Sequence, residues 1–306
     1  RGWFYHWMDV RTGARVWDSE LSSIDTAILL AGVLTAKSCF PGDADIAARA
    51  DAIVDAVDYP WMLAGDPGLL SMGWYPDRGF IPSRWDTYSE GPLLYILGAA
   101  SRKHPLPAAS WRAWKREWTT YGGIRYLHPG TPLFTHQYPH AWVDYRGRKD
   151  VDGTDYFENS VKATRAHRRF CLDLAGEFPG YTKDVWGVTA SDGPKGYVAW
   201  GGPPRHPDID GTVVPAAAGG SLMFAPELAV PALRAMKRRF EAGIWGPYGF
   251  SDAFHPLTGW TGPDVLGIDV GITLLSAENL RSGNVWRWFM ANPEIPAALD
   301  ALGVKK

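Results

Sequence analysis

The chain has 306 residues, 46% of them hydrophobic, and its 31 Lys and Arg against 33 Asp and Glu give a formal charge of −2. That is enough apolar material for a large core. The charges are spread along the chain, which offers no basic field of the kind that nucleic acid or an anionic membrane surface requires. No run approaches the roughly 20 apolar residues of a membrane span, and the two cysteines, Cys39 and Cys171, read as ordinary buried residues rather than as a disulfide framework or a metal site.

The first strong pattern is Ser22 to Leu34, where a Ser cap and an acidic first turn precede a nearly unbroken apolar run, the signature of a helix buried on all sides. Asp43 to Val57 follows with one apolar stripe, Ile46, Ile53, Val54 and Val57, among charged residues, which predicts an outer, half-wet helix. The alternation then recurs. Tyr88 to Ala100 reads as a second buried helix, and Ser110 to Tyr121, with Trp111, Trp114 and Trp118, as a second amphipathic one. A third pair is expected at Pro132 to Tyr145, kinked at Pro139, and Phe157 to Ala175. Gly211 to Leu222 with Pro226 to Phe240, and Val270 to Leu280 with Asn292 to Leu302, complete five inner and outer pairs.

Between the pairs lie long connections rich in Gly, Pro and Trp, at 62–84, 186–210 and 243–267, and loops of that length in a compact domain usually carry function. No alternating strand pattern stands out beyond short pieces such as Gly2 to Met8, and no linker divides the chain. The expected fold is therefore all-α, a single domain over 1–306 with a double ring of helices around a cleft. A count of 16 Trp, many beside Gly, Pro or Asp, suggests a stacking surface for the apolar faces of sugar rings on part of that cleft, the remainder being core.

Acidic residues stand where the long loops meet the expected inner helices: Asp18, Glu20 and Asp25, then Asp86 and Glu90, then Asp210 and Asp269. A helix N-terminus favours a carboxylate by itself, so Asp25 and Asp269 read first as caps. Glu20 and Glu90 are not favoured capping types, and they lie beside Trp17, Trp85 and Tyr88. An apolar, aromatic setting keeps one carboxyl protonated, and glycoside cleavage needs one protonated and one ionised carboxyl. His136 and His140 stand four apart with Asp144 a further four on, a spacing that admits a metal, though no Glu follows the first His and recognition of sugar hydroxyls is the better reading. Glu158, Asp192, Asp252 and Glu278 are further carboxylates that read first as structural hydrogen-bonding groups. No phosphate-binding glycine loop and no Gly-x-Ser-x-Gly elbow occurs, which removes support for nucleotide-dependent and serine-hydrolase chemistry.

Several motifs resemble, in order, those of the glucoamylase-like domain family: Gly2-Trp3-Phe4-Tyr5-His6-Trp7-Met8-Asp9, Ser19-Glu20-Leu21-Ser22-Ser23-Ile24-Asp25, Tyr88-Ser89-Glu90, His136 to Trp142, Trp186 to Asp192, Asp210 to Pro215, Phe224 to Glu227, Tyr248 to Phe254 and Gly267-Ile268-Asp269. That family holds bacterial β-1,2-glucanases and is similar to the transglycosylase domain of cyclic β-1,2-glucan synthases. The resemblance implies an (α/α)6 toroid, no metal or organic cofactor, and hydrolysis or transfer at β-glucosidic bonds of an oligo- or polysaccharide. It implies catalysis by Glu20, as general acid, and Glu90, as base or nucleophile. Trp85, Asp86, Tyr88, His136, His140, Trp142 and Trp186, with Asp25 and Asp269, would line the sugar subsites. Family members carry further sequence ahead of the Gly-Trp-Phe-Tyr-His motif, so a separate N-terminal segment completing the ring is expected, as is a periplasmic or secreted location. A transglycosylase on the same glucan and a non-catalytic carbohydrate-binding domain remain open alternatives.

Overall fold

The computed structural model describes residues 1–127 and 132–306, and it is mostly helical. Helix α1, Ser23–Cys39, begins where Ser22 caps it, the Ser22 hydroxyl accepting from the Asp25 backbone N–H at 3.2 Å. Its inward side buries Ile24, Ala27, Leu30, Ala31 and Leu34. Asp43 caps α2, Ala44–Asp55, by accepting from two N–H groups at 3.0 Å, and among its residues only Ala50 is fully buried, as an outer helix requires. A single turn, α3 (Tyr59–Met62), leads into the first long connection. There β2 (Gly73–Tyr75) and β3 (Gly79–Phe80) join β1 (Leu21–Ser22) in an antiparallel sheet that pairs Leu21 with Trp74 and Trp74 with Phe80. This sheet fastens the segment entering α1 to the loop that enters the next inner helix.

That helix, α4 (Gly91–Ala100), is buried from Gly91 to Gly98. The expected amphipathic helix at 110–121 is instead a short α5 (Ser110–Ala113) followed by the hairpin of β4 (Trp118–Tyr121) and β5 (Ile124–Leu127). The reason is local. Trp118-Thr119-Thr120-Tyr121 is a β-branched and aromatic run, and Gly122 and Gly123, at φ 54° and 81°, supply a turn that helix geometry does not contain. The expected helix at 132–145 divides into a 3₁₀ turn, Leu133–His136, and α6, Tyr138–Trp142. Pro139 starts α6 rather than kinking a longer helix, since in a first turn its missing N–H leaves no partner unsatisfied.

Helix α7 (Tyr156–Asp173) is capped by Asp155 and packs on β5. A second hairpin, β6 (Ala190–Gly193) with β7 (Gly196–Ala199), rises from the next long connection. The buried α8 (Pro215–Gly219) is shorter than its expected span, and α9 (Pro226–Ile244) is longer. After the small hairpin of β8 (Trp245–Gly246) and β9 (Gly249–Phe250) come α10 (Gly267–Arg281), α11 (Asn284–Met290) and α12 (Glu294–Ala301); α12 falls within the expected last outer helix, and α11 is an additional short helix before it. The all-α expectation thus gives way to a mostly helical fold with four small antiparallel sheets among the described residues.

The inner helices pack neighbour to neighbour, α1 on α4, α4 on α6, α6 on α10 and α8 on α10. Buried polar groups fix the joints. Gln137 Nε2 donates to Ala217 O and Ser221 Oγ, both at 2.9 Å, tying the turn before α6 to α8, and Asn279 of α10 donates to Ala141 O at 2.8 Å. Two helix faces are left open: Leu29, Ala36 and the adjoining Phe40 on α1, and Gly267, Val270, Gly271 and Leu274 on α10, where Leu274 is 66% exposed.

Candidate active site

Three carboxylates from different inner helices meet. Asp25 stands in the first turn of α1, Glu90 directly precedes α4, and Asp269 stands in the first turn of α10. Each acts electrostatically on the hydroxyl of Tyr138 in α6, and this hydroxyl donates to Ile268 O at 2.6 Å. Burial, and then the negative charge of Asp25, push the Glu90 carboxyl up to about 8, so it holds its proton at neutral pH. Glu90 makes no capping bond to α4, and the Pro92 ring removes one amide that could have drawn its carboxylate into ionised form.

Around Asp25 the donors are ordered. Ser22 Oγ lies 2.5 Å from Asp25 Oδ2, while His6 bridges two carboxylates, with Nδ1 3.0 Å from Glu20 Oε1 and Nε2 3.6 Å from Asp25 Oδ2. The His6 backbone N–H also donates to Glu20 O, which holds this strand against the entry to α1.

Opposite lies a second pair. Asp252, 3% exposed, shares a hydrogen bond with Asp269, and Asp252 Oδ2 accepts from the Asp192 N–H at 2.7 Å. Two carboxylates can bond to each other only through a proton held between them, and burial with mutual repulsion pushes Asp269 up accordingly. Asp192 sits on the β6–β7 hairpin, and Tyr197 of the same hairpin, 69% exposed, lies within electrostatic reach of Glu90, Asp252 and Asp269. A cavity of about 140 Å³ adjoins the Asp252–Asp269 pair, lined also by Trp245, Tyr248 and Phe250.

Such an array, a carboxyl that burial keeps protonated close to further carboxyl groups, is what glycosidic cleavage needs. Comparison with known proteins agrees. Residues 82–293 match the Glycoamylase family, described as "Putative glucoamylase". The chain belongs to that family.

Among relatives of this glycoamylase-family chain, the exo β-1,2-glucooligosaccharide sophorohydrolase (non-reducing end) of Parabacteroides distasonis is 29% identical over 336 residues, which cover 97% of the chain and 46% of the relative. The chain thus spans about half the length of that curated relative. The endo-β-1,2-glucanase of Chitinophaga pinensis, solved with sophorotriose and glucose, is 30% identical with a TM-score of 0.90 and covers 100% of this chain and 77% of its own. A β-1,2-glucanase of Parabacteroides distasonis superposes with a TM-score of 0.91 at 26% identity, covering 99% of this chain and 48% of its own.

Of the residues expected at the site of this glycoamylase-family chain, the structure brings Glu20, Asp25, Glu90 and Asp269 together. Others lie elsewhere. Asp86 pairs through its backbone with Lys115, Asp18 is an exposed partner of Arg15 and Arg78, and Asp210 accepts from the Thr212 N–H. The six aromatic and histidine residues expected to line the sugar subsites, Trp85, Tyr88, His136, His140, Trp142 and Trp186, are all buried and present no open face to a sugar. Trp85 donates to Ser23 Oγ at 2.8 Å, Tyr88 stacks on Tyr156, and Trp186 is enclosed in a second core cluster. His140 sits among Tyr145, Phe157 and Phe224, and burial pulls it down to about 3, a neutral packing residue bonded to Ser160. Asp144 pairs with Arg146, away from both histidines, and among the described residues no group of three or more His, Cys, Asp or Glu is arranged to hold a metal.

Sequence reading missed His6, Tyr138, Tyr197 and the pairing of Asp252 with Asp269. His6 and Asp252 stand in motifs visible in the sequence, but nothing in their local spacing says that they face other segments across the fold.

Proposed function

We propose that the chain hydrolyses β-1,2-linked glucan, with Glu90 as general acid and the Glu20–His6–Asp25 array as the ionised partner. The observation that carries this reading is the Glu90 carboxyl, protonated at neutral pH beside a charged Asp25. It reverses the expected roles, in which Glu20 was the acid. The linkage rests on the relatives, a β-1,2-glucooligosaccharide sophorohydrolase and an endo-β-1,2-glucanase. In this reading Glu90 protonates the departing glycosidic oxygen, and Asp25 or Glu20 accepts a proton from the attacking water. The Asp252–Asp269 pair offers one donor and several acceptors, a set suited to sugar hydroxyls.

Incubation with linear β-1,2-glucan, read by chromatography, tests the proposal. The parent is expected to shorten the glucan and Glu90→Gln to be slower by ~100-fold or more, the range for loss of a general acid. The parent's kcat/KM should fall as pH passes about 8. A Glu90→Gln chain as fast as the parent removes Glu90 from the reaction, and a parent that acts on some other β-glucan alone removes the linkage.

The same reading assigns the inner and outer helices to an (α/α) toroid in one domain, supported by the neighbour packing of α1, α4, α6, α8 and α10. Its missing wall would be a helical segment outside residues 1–306, seated on the bare apolar faces of α1 and α10. A periplasmic or secreted location suits a polymeric glucan substrate.

A further inference from the structure

The excursion from Tyr5 to Leu21 is a pinned hairpin that carries an exposed aromatic pair. Asp9 turns it, its Oδ1 accepting from the backbone of Arg11 and Thr12, while Met8 bridges to Arg15 and Tyr5 to Leu21. Arg15 Nε donates to Ser19 O at 2.5 Å, and Arg15 and Arg78 both pair with Asp18, so the far side of the hairpin is tied down on two sides. On it Trp17 is 77% and Trp7 47% exposed, their rings 5.2 Å apart at 68°. Trp7 in turn lies flat on His6, centroids 5.1 Å apart and planes within 12°, and His6 is the ring that reaches Glu20 and Asp25.

Trp17 also holds φ at 52°, a left-handed conformation that a bulky side chain rarely adopts. Folding thus spends free energy to put a large apolar ring into water, which is the reverse of what packing would select. Neighbouring Met8 and Val10 are exposed as well, but it is Trp7 that lies on the His6 ring reaching Glu20 and Asp25.

We infer that Trp7 and Trp17 form a sugar-binding ledge at the rim of the carboxylate site, taking a glucose ring of the glucan beyond the bond being cut. The inference rests on the glucan reading above. An aromatic face suits the C–H face of a pyranose, and a ledge fixed by Arg15, Asp18 and Arg78 presents it without ordering a loop on binding. Trp7 couples the ledge to the chemistry, because a sugar seated there presses on the same imidazole that spaces Glu20 from Asp25.

Calorimetry of linear β-1,2-glucan oligosaccharides of increasing length on the Glu90→Gln chain tests the ledge, with Trp17→Ala, Trp17→Gly and Trp17→Tyr compared. Trp17→Ala should lose ~10-fold in affinity for the longer oligosaccharides, the equivalent of one aromatic contact, with a smaller loss for the shortest. Trp17→Tyr should recover most of it. Trp17→Gly should lose the same affinity while its Tm equals or exceeds the parent's, because glycine accepts the left-handed backbone without strain. A Trp17→Ala chain that binds every length as the parent does overturns the ledge and leaves the proposed function standing. No binding or turnover of β-1,2-glucan by the parent overturns both. A parent that sediments as a dimer, with Trp17→Ala a monomer, assigns the patch to a second copy and overturns the ledge.

Discussion

Glu90 shows how burial turns an ordinary carboxyl into an acid. Its folded-state value of about 8 lies above the ordinary glutamate value of 4.5, so the folded chain binds one more proton than the unfolded chain between those limits. Stability from this group is present below about 4.5 and lost as pH rises to about 8. Glu90→Gln cannot ionise, and its Tm advantage over the parent should therefore grow across that window and level off above it, as measured by calorimetry over a pH series. A constant difference would mean that the carboxyl does not titrate where the proposed acid must. The residue types of Glu20, Asp25, Glu90 and Asp269 were legible in the sequence as loop-to-helix carboxylates. Which of them holds a proton was not, because that depends on the burial of Glu90 in the fold and then on Asp25 lying beside it, across 65 residues of chain. The two histidines show the same limit: their spacing is visible in the sequence, but His140 is enclosed by Tyr145, Phe157 and Phe224, and His136 lies against Tyr88 and Tyr126, rings that come from other segments.

Elements with local signals fell where expected. The capped α1, α2 and α7 match their spans closely, because Ser22, Asp43 and Asp155 stop the helix with their own side chains. Ser22 does more than cap, since its hydroxyl also lies against the Asp25 carboxylate. Ser22→Ala should cost about 1 kcal/mol of stability, the usual value of an N-cap, and slow turnover in addition, read by denaturant unfolding and by initial rates on glucan. Loss of stability with unchanged turnover would separate Asp25 from the chemistry. Among the misjudged elements, the hairpins have a common cause. Two-residue and four-residue strands have too few positions to show a period, and the pairing of Trp118 with Leu127 or Asp192 with Tyr197 comes from the turn between them.

At the scale of the molecule, α1 and α10 are the most informative helices. Each packs against other inner helices on one side, yet each leaves a face with apolar side chains, Leu29 on α1 and Leu274 on α10, to water. Leu274→Lys should change stability by no more than about 0.5 kcal/mol, as for a surface position, and should reduce binding of an apolar fluorescent dye. A loss of about 2 kcal/mol or more, the size expected for a buried leucine, would mean that the face is already covered in solution.

The sequence by itself determined the alternation of buried and amphipathic helices, the long loops between them and the carboxylates at their junctions. Periodicity and capping act within a few residues, so one strand of text contains them. Only the tertiary structure decided which aromatic rings are core and which are surface, that His6 joins Glu20 to Asp25, and that Asp252 is paired with Asp269. Those outcomes depend on distances between segments far apart in the chain, and it is those distances, not residue type, that set burial and charge at the site.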